Sequence, residues 1–194
     1  EPGLAQDAPN LKAGEGRGEF QQNPLTFEHP WCDPFRRMFS HPRVIDVFNE
    51  VLGPGFRLDH GPGLIRMQHG TEGHRLHGDM TFDPSQYHTF AHGRMQAGLC
   101  VAAWQLTDVQ AGDGGFACIP GSHKSNIGLP QDWRHSKIQA EVPDIVDQVA
   151  ASAGDAIIFT EACAHGTVPW EGDGGRERRP LFYKYCPHAV AWSP

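Results

Sequence analysis

The segment HRLHGDMTF, residues 74–82, puts two histidines and an aspartate within six positions. Successive side chains of a strand alternate between faces, so His77 and Asp79 would project together while Gly78 points away. An HxD pair on one face is a bidentate platform for a divalent metal. A third ligand has to come from far along the chain, and AGDAIIFTEACAHGT offers one: a Gly154-Asp155 turn, a buried strand from Ala156, then His165 followed by a small Gly-Thr pair. Two histidines and one carboxylate on one side of a metal leave the opposite positions open, the arrangement of non-haem iron(II) oxygenases.

The segment RERRPLFYKYC follows shortly after His165 and opens a strand with a basic cluster. An iron(II) oxygenase that consumes 2-oxoglutarate chelates the metal through the keto oxygen and adjacent carboxylate. The distal carboxylate is left for a fork of hydrogen-bond donors, which arginine supplies.

The order HxD, GGFACIPGSHK, AGDAIIF, HGT and RRPL with an aromatic strand resembles the phytanoyl-CoA dioxygenase family of iron(II)- and 2-oxoglutarate-dependent oxygenases, from about Leu64 to Cys186. The resemblance implies a double-stranded β-helix, a jelly-roll or cupin-like barrel, and iron(II), 2-oxoglutarate and O2 as the reacting set. It implies iron on His77, Asp79 and His165. It gives the distal carboxylate of 2-oxoglutarate to Arg178, with Arg176 and Arg179 as alternatives, and puts the Thr167 hydroxyl and Gln68 near the co-substrate. The expected activity is oxidation, typically hydroxylation, of a C–H bond in a small organic substrate with release of succinate and CO2. The chain departs from the family pattern at Gly78, where glutamine is frequent, and in its short N-terminal portion.

A loop from Thr81 to Met95 would follow the HxD strand and pass close to the metal, with Phe82, Tyr87, His88, Phe90, His92 and Arg94 as candidate substrate contacts. His88 and His92 are four apart and could share a helix face, yet no glutamate stands between them as in HExxH. In IPGSHKSN, Ser122, His123 and Lys124 are adjacent on a turn, which does not give the geometry of a catalytic triad. The rival reading from another class is a cupin-like barrel that binds a small ligand or metal without oxygenase chemistry.

The elements that would carry these residues follow from periodicity. Residues 1–28 carry no apolar period and read as an irregular lead-in, 29–55 as a helical preface, and 56–186 as a β-barrel core of one domain. In the preface Asp33 and Ser40 are possible caps, Pro34 and Pro42 suit first turns, and Gly53 suits a stop. Val44, Val47, Phe48, Val51 and Leu52 recur at helical spacing and predict one buried face. Beyond Gly53, strands are predicted at Phe56–Asp59, Gly63–Gln68, Leu76–Met80, Gln96–Leu106, Gly115–Ile119, Ala156–Thr160 and Leu181–Cys186. The fold class is therefore mainly β with a few flanking helices.

A chain of 194 residues suits a single core. Its net charge of -7, without an extended basic run, argues against nucleic acid and acidic membrane surfaces as partners and leaves a small molecule. Five scattered cysteines form no CxxC pair, and no apolar run approaches a membrane span, so a reduced, cytoplasmic protein is expected.

Overall fold

A computed structural model describes residues 19–78, 88–91, 93–125, 128–130, 132–133 and 143–190. Two helices come first, α1 at Asp33–Phe39 and α2 at Pro42–Leu52, each with proline in its first turn. Ser40 closes α1 rather than opening α2, its hydroxyl donating to the Arg36 carbonyl at 3.0 Å. Gly53 ends α2 at φ +85°, its N–H returning to the Asn49 carbonyl. The predicted buried face is narrower than expected. Val44 and Phe48 are buried, whereas Val47 and Val51 remain about 40% exposed, because they lie on the flank of the stripe that runs through 44, 48 and 52.

The remaining strands are β1 (Glu19–Gln22), β2 (Arg57–Arg66), β3 (His74–His77), β4 (His88–Ala91), β5 (Arg94–Ala97), β6 (Cys100–Gln105), β7 (Gly115–Cys118), β8 (Asp147–Gln148), β9 (Ala156–Thr160), β10 (His165–Val168) and β11 (Pro180–Cys186). They form a five-stranded sheet in the order β1-β2-β11-β6-β9, a four-stranded sheet in the order β3-β10-β7-β8, and the β4-β5 hairpin. All pairings are antiparallel. This is the mainly β, double-stranded β-helix architecture expected.

Several elements differ from their sequence signals. The lead-in contributes β1, which pairs with β2 and carries no apolar alternation to betray it. The DHGPG stretch is no turn: β2 runs through it, and the register against β11 slips from Phe182↔Gly63 to Lys184↔His60. A bulge there absorbs Pro62, which has no N–H for the ladder. The long strand predicted at 96–106 is split into β5 and β6. The stretch around His88 is the first strand of the β4-β5 hairpin rather than a helix face or an open loop. The strand predicted at 76–80 stops at His77.

The alternation of β11 explains how the large sheet serves two neighbours. Leu181, Tyr183 and Tyr185 face the helices, in one core cluster with Val44 and Phe48. The Tyr183 hydroxyl donates to the Phe35 carbonyl at 2.6 Å and the Tyr185 hydroxyl to the Phe39 carbonyl at 2.8 Å, fixing α1 on the sheet. Phe182 and Lys184 face the other way, into a cavity of about 500 Å³ lined from both sheets. Val101 of β6, Phe159 of β9 and Ile65 of β2 share that inner face. Burying these rings and aliphatic side chains on both sides of the sheet makes the scaffold stiff where it presents polar groups.

Candidate metal and co-substrate site

His77 and His165 are direct cross-strand partners in the β3-β10 pair, and their rings lie 4.1 Å apart, centroid to centroid. Each is oriented by a backbone carbonyl. His77 Nδ1 donates to the Arg75 carbonyl at 3.0 Å, and His165 Nδ1 donates to the Cys163 carbonyl at 2.7 Å. A carbonyl can only accept, so each Nδ1 carries the proton and each Nε2 is left with a lone pair. Burial and the neighbouring His165 push His77 down to about 4, and burial also pushes His165 down. Both imidazoles are therefore neutral at pH 7, the form that ligates metal.

Glu161 joins them, and the sequence reading missed it. His77, Glu161 and His165 each direct one ligand atom into a common gap, all three atoms within 4.8 Å of one another. The signal was present in the strand alternation: Ile157, Phe159 and Glu161 share one face of β9 and its continuation, and Phe159 and Glu161 both line the cavity. Lys184 donates to Glu161 Oε1 at 2.7 Å. Burial alone would raise the Glu161 carboxyl, but the nearby His165 ring and the Lys184 ammonium, which also donates a hydrogen bond, outweigh it and hold the group below its usual value. The Phe159 ring packs on His165 at 4.6 Å and Phe116 lies 4.7 Å from Phe159, walling off that side.

Gly78 does more than leave room. It adopts φ +79°, and a Cβ there would meet the Glu161 and Cys163 carbonyl oxygens at 2.4 and 2.5 Å. Only glycine lets the chain leave β3 so close to the strand that carries His165. Asp79 lies outside the described residues, as do Phe82, Tyr87 and His92. His88 opens β4 and Arg94 opens β5.

The three arginines of the RERR cluster separate sharply. Arg176 makes a two-pronged contact with Asp113, with the second prong at 2.7 Å. Arg179 donates to Glu177 at 2.9 and 2.7 Å, and Arg66 binds the other oxygen of the same carboxylate. Arg178 lines the cavity, is 1% exposed, and faces no carboxylate among the described residues. Among the described residues its Nε has no hydrogen-bond partner, and the one polar contact of its side chain is from a terminal nitrogen to the Met67 sulfur at 3.2 Å. Desolvation pushes it down to about 10. Gly115, at φ +90°, makes space for it, since a Cβ there would fall 2.8 Å from Arg178 Nε. A buried, unpaired guanidinium is costly unless a ligand anion completes it.

Thr167, two residues after His165 on β10, lines the same cavity. Gln68 does not: it is exposed, and its amide donates to Glu177 at 3.1 Å. The neighbouring Met67 is the cavity residue, one step out of phase with the sequence-based choice. Ser122, in the tempting Ser-His-Lys run, donates to the Ile119 carbonyl and accepts from the Ala164 N–H at 2.8 Å. That hydroxyl anchors the approach to His165. Trp170 is fully buried with its indole N–H on the Arg176 carbonyl, so it belongs to the core.

A barrel whose inner face carries paired neutral histidines, a carboxylate and an unpaired arginine fits iron(II) with a bound 2-oxo acid. The comparisons with known proteins give the same class. A family model described as phytanoyl-CoA dioxygenase (PhyH) matches residues 12–178, and the chain belongs to that family. It is a non-haem iron, 2-oxoglutarate-dependent oxygenase, with iron(II) and 2-oxoglutarate as cofactor and co-substrate. No curated protein matches its sequence. Among solved structures, HygX from Streptomyces hygroscopicus with nickel, 2-oxoglutarate and hygromycin B bound superposes with a TM-score of 0.74 at 21% identity, covering 95% of this chain and 74% of that one. AviO1 from Streptomyces viridochromogenes Tue57 gives 0.61 at 19% identity, covering 90% and 69%. The epimerase SnoN from nogalamycin biosynthesis, described as α-ketoglutarate dependent, gives 0.59 at 18%, covering 90% and 64%. Among the described residues no helix is long and apolar enough to cross a membrane.

Proposed function

We propose that this oxygenase oxidises a C–H bond of a small organic molecule, hydroxylation being the expected outcome, with 2-oxoglutarate converted to succinate and CO2. Bound iron and 2-oxoglutarate together supply the power to activate O2. The chain's own residues hold the reactants and keep water away. His77 and His165 are two metal ligands, and Asp79 is the carboxylate ligand that the family pattern names. Arg178 takes the distal carboxylate of 2-oxoglutarate, with Thr167 beside it.

The observation that carries this reading is Arg178, a buried cation with no anion paired to it among the described residues, in the same cavity as two imidazoles with bare Nε2 atoms. A cavity of about 500 Å³ has room for the co-substrate and part of a second small molecule. HygX binds hygromycin B within a similar barrel, which supports a small polar organic substrate here. Specificity is assigned to the segment 81–95, which leads from the HxD pair into the β4-β5 hairpin, with Phe82, Tyr87, His88 and Arg94 as contacts. The test is succinate formation against a panel of small metabolites with iron(II) and O2. Substrate-dependent, iron-dependent succinate is expected. A barrel that binds metal and forms no succinate with any of them would favour a cupin-like binding protein.

A further inference from the structure

We infer that His29, Cys32 and Asp33, in the turn that leads into α1, form a zinc(II) site separate from the barrel. The inference stands apart from the oxygenase reading, since none of the three side chains lines the cavity.

The sequence HPWCD, residues 29–33, brings an imidazole, a thiol and a carboxylate together from five consecutive residues. One ring nitrogen of His29, the Cys32 sulfur and one Asp33 oxygen all lie within 4.8 Å of one another. Asp33 Oδ1 is the meeting point: His29 Nδ1 lies 3.1 Å from it and Cys32 Sγ 3.7 Å. Tetrahedral zinc at its usual bond lengths sets ligand atoms about 3.3 Å apart for nitrogen and oxygen and about 3.6 Å apart for sulfur and oxygen. The two observed separations are therefore near those of a filled coordination shell. The remaining one, nitrogen to sulfur, closes by rotation of the exposed His29 ring.

In the metal-free protein two hydrogens, on Nδ1 and Sγ, converge on that single oxygen. A divalent cation replaces both. The thiol proton leaves to solvent as the sulfur–zinc bond forms, and the imidazole proton moves to Nε2. A thiolate and a carboxylate then neutralise the two charges of the ion, and the thiolate selects zinc over iron(II). Cys32 is 1% exposed and forms the floor of the site, whereas the side chains of His29 and Asp33, 76% and 39% exposed, form its rim. The fourth position opens to water.

The turn holds the ligands before any metal arrives. The Trp31 N–H donates to the Glu28 carbonyl at 2.8 Å and the Asp33 N–H to the Pro30 carbonyl at 3.1 Å. The Phe27 and Phe35 rings, one on either side of the turn in sequence, meet edge to face at 5.7 Å. Because Tyr183 and Tyr185 already fix α1 on the large sheet, zinc here would tie the turn to a helix that the barrel holds.

The test uses the full chain carrying His77→Ala and His165→Ala, which removes the barrel histidines, and adds Cys32→Ser, His29→Ala or Asp33→Asn to it. Each protein is loaded with Zn(II), desalted and assayed for metal, and separately titrated with Co(II), whose bond to a thiolate gives a sulfur-to-cobalt charge-transfer band in the near ultraviolet. The background protein is expected to retain one equivalent of zinc, to show the cobalt band and to melt at a higher temperature with zinc than without. Cys32→Ser should lose the band and the zinc. His29→Ala and Asp33→Asn should weaken zinc binding by more than the roughly 10- to 100-fold that follows loss of a ligand's outer partner. No retained zinc, no cobalt band, or a band that survives Cys32→Ser overturns the inference. His29 is on the surface, so its variant guards against a folding defect in Cys32→Ser, and unchanged zinc affinity in His29→Ala overturns the inference as well.

Discussion

Replacing Arg178 with methionine should move two properties in opposite directions. The guanidinium is 1% exposed, and among the described residues its Nε is unpartnered and its one polar contact is the Met67 sulfur. Burial pushes the group down to about 10, which at about 1.4 kcal/mol per pKa unit corresponds to roughly 3 kcal/mol of uncompensated desolvation. Methionine fills much of the same volume without the charge. The protein free of co-substrate should therefore be as stable as wild type or more so, by about 1–3 kcal/mol, or roughly 2–8 °C in Tm. The same substitution removes the fork that completes a bound carboxylate. Losing a charge-assisted, partly buried pair costs about 2–5 kcal/mol, so the Kd for 2-oxoglutarate should rise about thirtyfold to a few thousandfold. Arg178→Lys keeps the charge without the fork and should fall between. Calorimetric titration of the Ni(II)-loaded protein with 2-oxoglutarate reads the affinity, and melts without ligand read the stability. A lower Tm with unchanged 2-oxoglutarate affinity would refute the reasoning and make Arg178 a structural residue.

Four further outcomes are expected. His77→Ala and His165→Ala should each lose metal by elemental analysis while keeping a wild-type circular dichroism spectrum, and full metal content in both would remove them from the site. Gly78→Ala should destabilise by about 1–3 kcal/mol and weaken metal binding together, since its Cβ would meet two carbonyl oxygens at 2.4 and 2.5 Å in a left-handed backbone; wild-type melting would contradict this. Glu177 is held down to about 2, from 4.5, chiefly by Arg66 and further by Arg179 and Gln68, against burial. A depressed carboxyl stabilises fully above its unfolded value and loses that contribution as pH falls through the folded one, so wild-type stability should drop between about pH 4.5 and 2 more steeply than that of Glu177→Gln. Parallel curves for the two proteins would contradict the assignment. Tyr87→Ala should lower substrate-dependent turnover and spare the slow, substrate-independent loss of 2-oxoglutarate, whereas equal loss of both would move substrate selection elsewhere.

What could be read from the sequence was what short-range pattern controls. The apolar run of β9 and the alternating aromatics of β11 announced themselves, and so did the proline and glycine punctuation of α1 and α2. Strands β1 and β10 did not, because EFQQ and HGTV carry too little apolar alternation and owe their conformation to neighbours far away in sequence. The bulge that lets β2 continue through Gly61-Pro62-Gly63 is likewise a property of its pairing with β11. At the site, the histidines stood out by motif. Glu161 was hidden in FTEACAH because a lone glutamate after a strand reads as a surface residue until Lys184 and the two rings are seen to face it. Gln68 was out of phase with the cavity because the strand's alternation there is set by the Met67–Arg178 bridge, a long-range pairing no local pattern reveals.

The most direct test of the central claim is whether 2-oxoglutarate binding depends on metal. Calorimetry of 2-oxoglutarate into metal-free and iron(II)-loaded protein, without oxygen, should give one site per chain with the metal and far weaker binding without it. The visible absorption of an iron(II)–2-oxo acid chelate should grow in step with that binding. Folded, iron-loaded protein that neither binds 2-oxoglutarate nor develops the absorption would contradict the account.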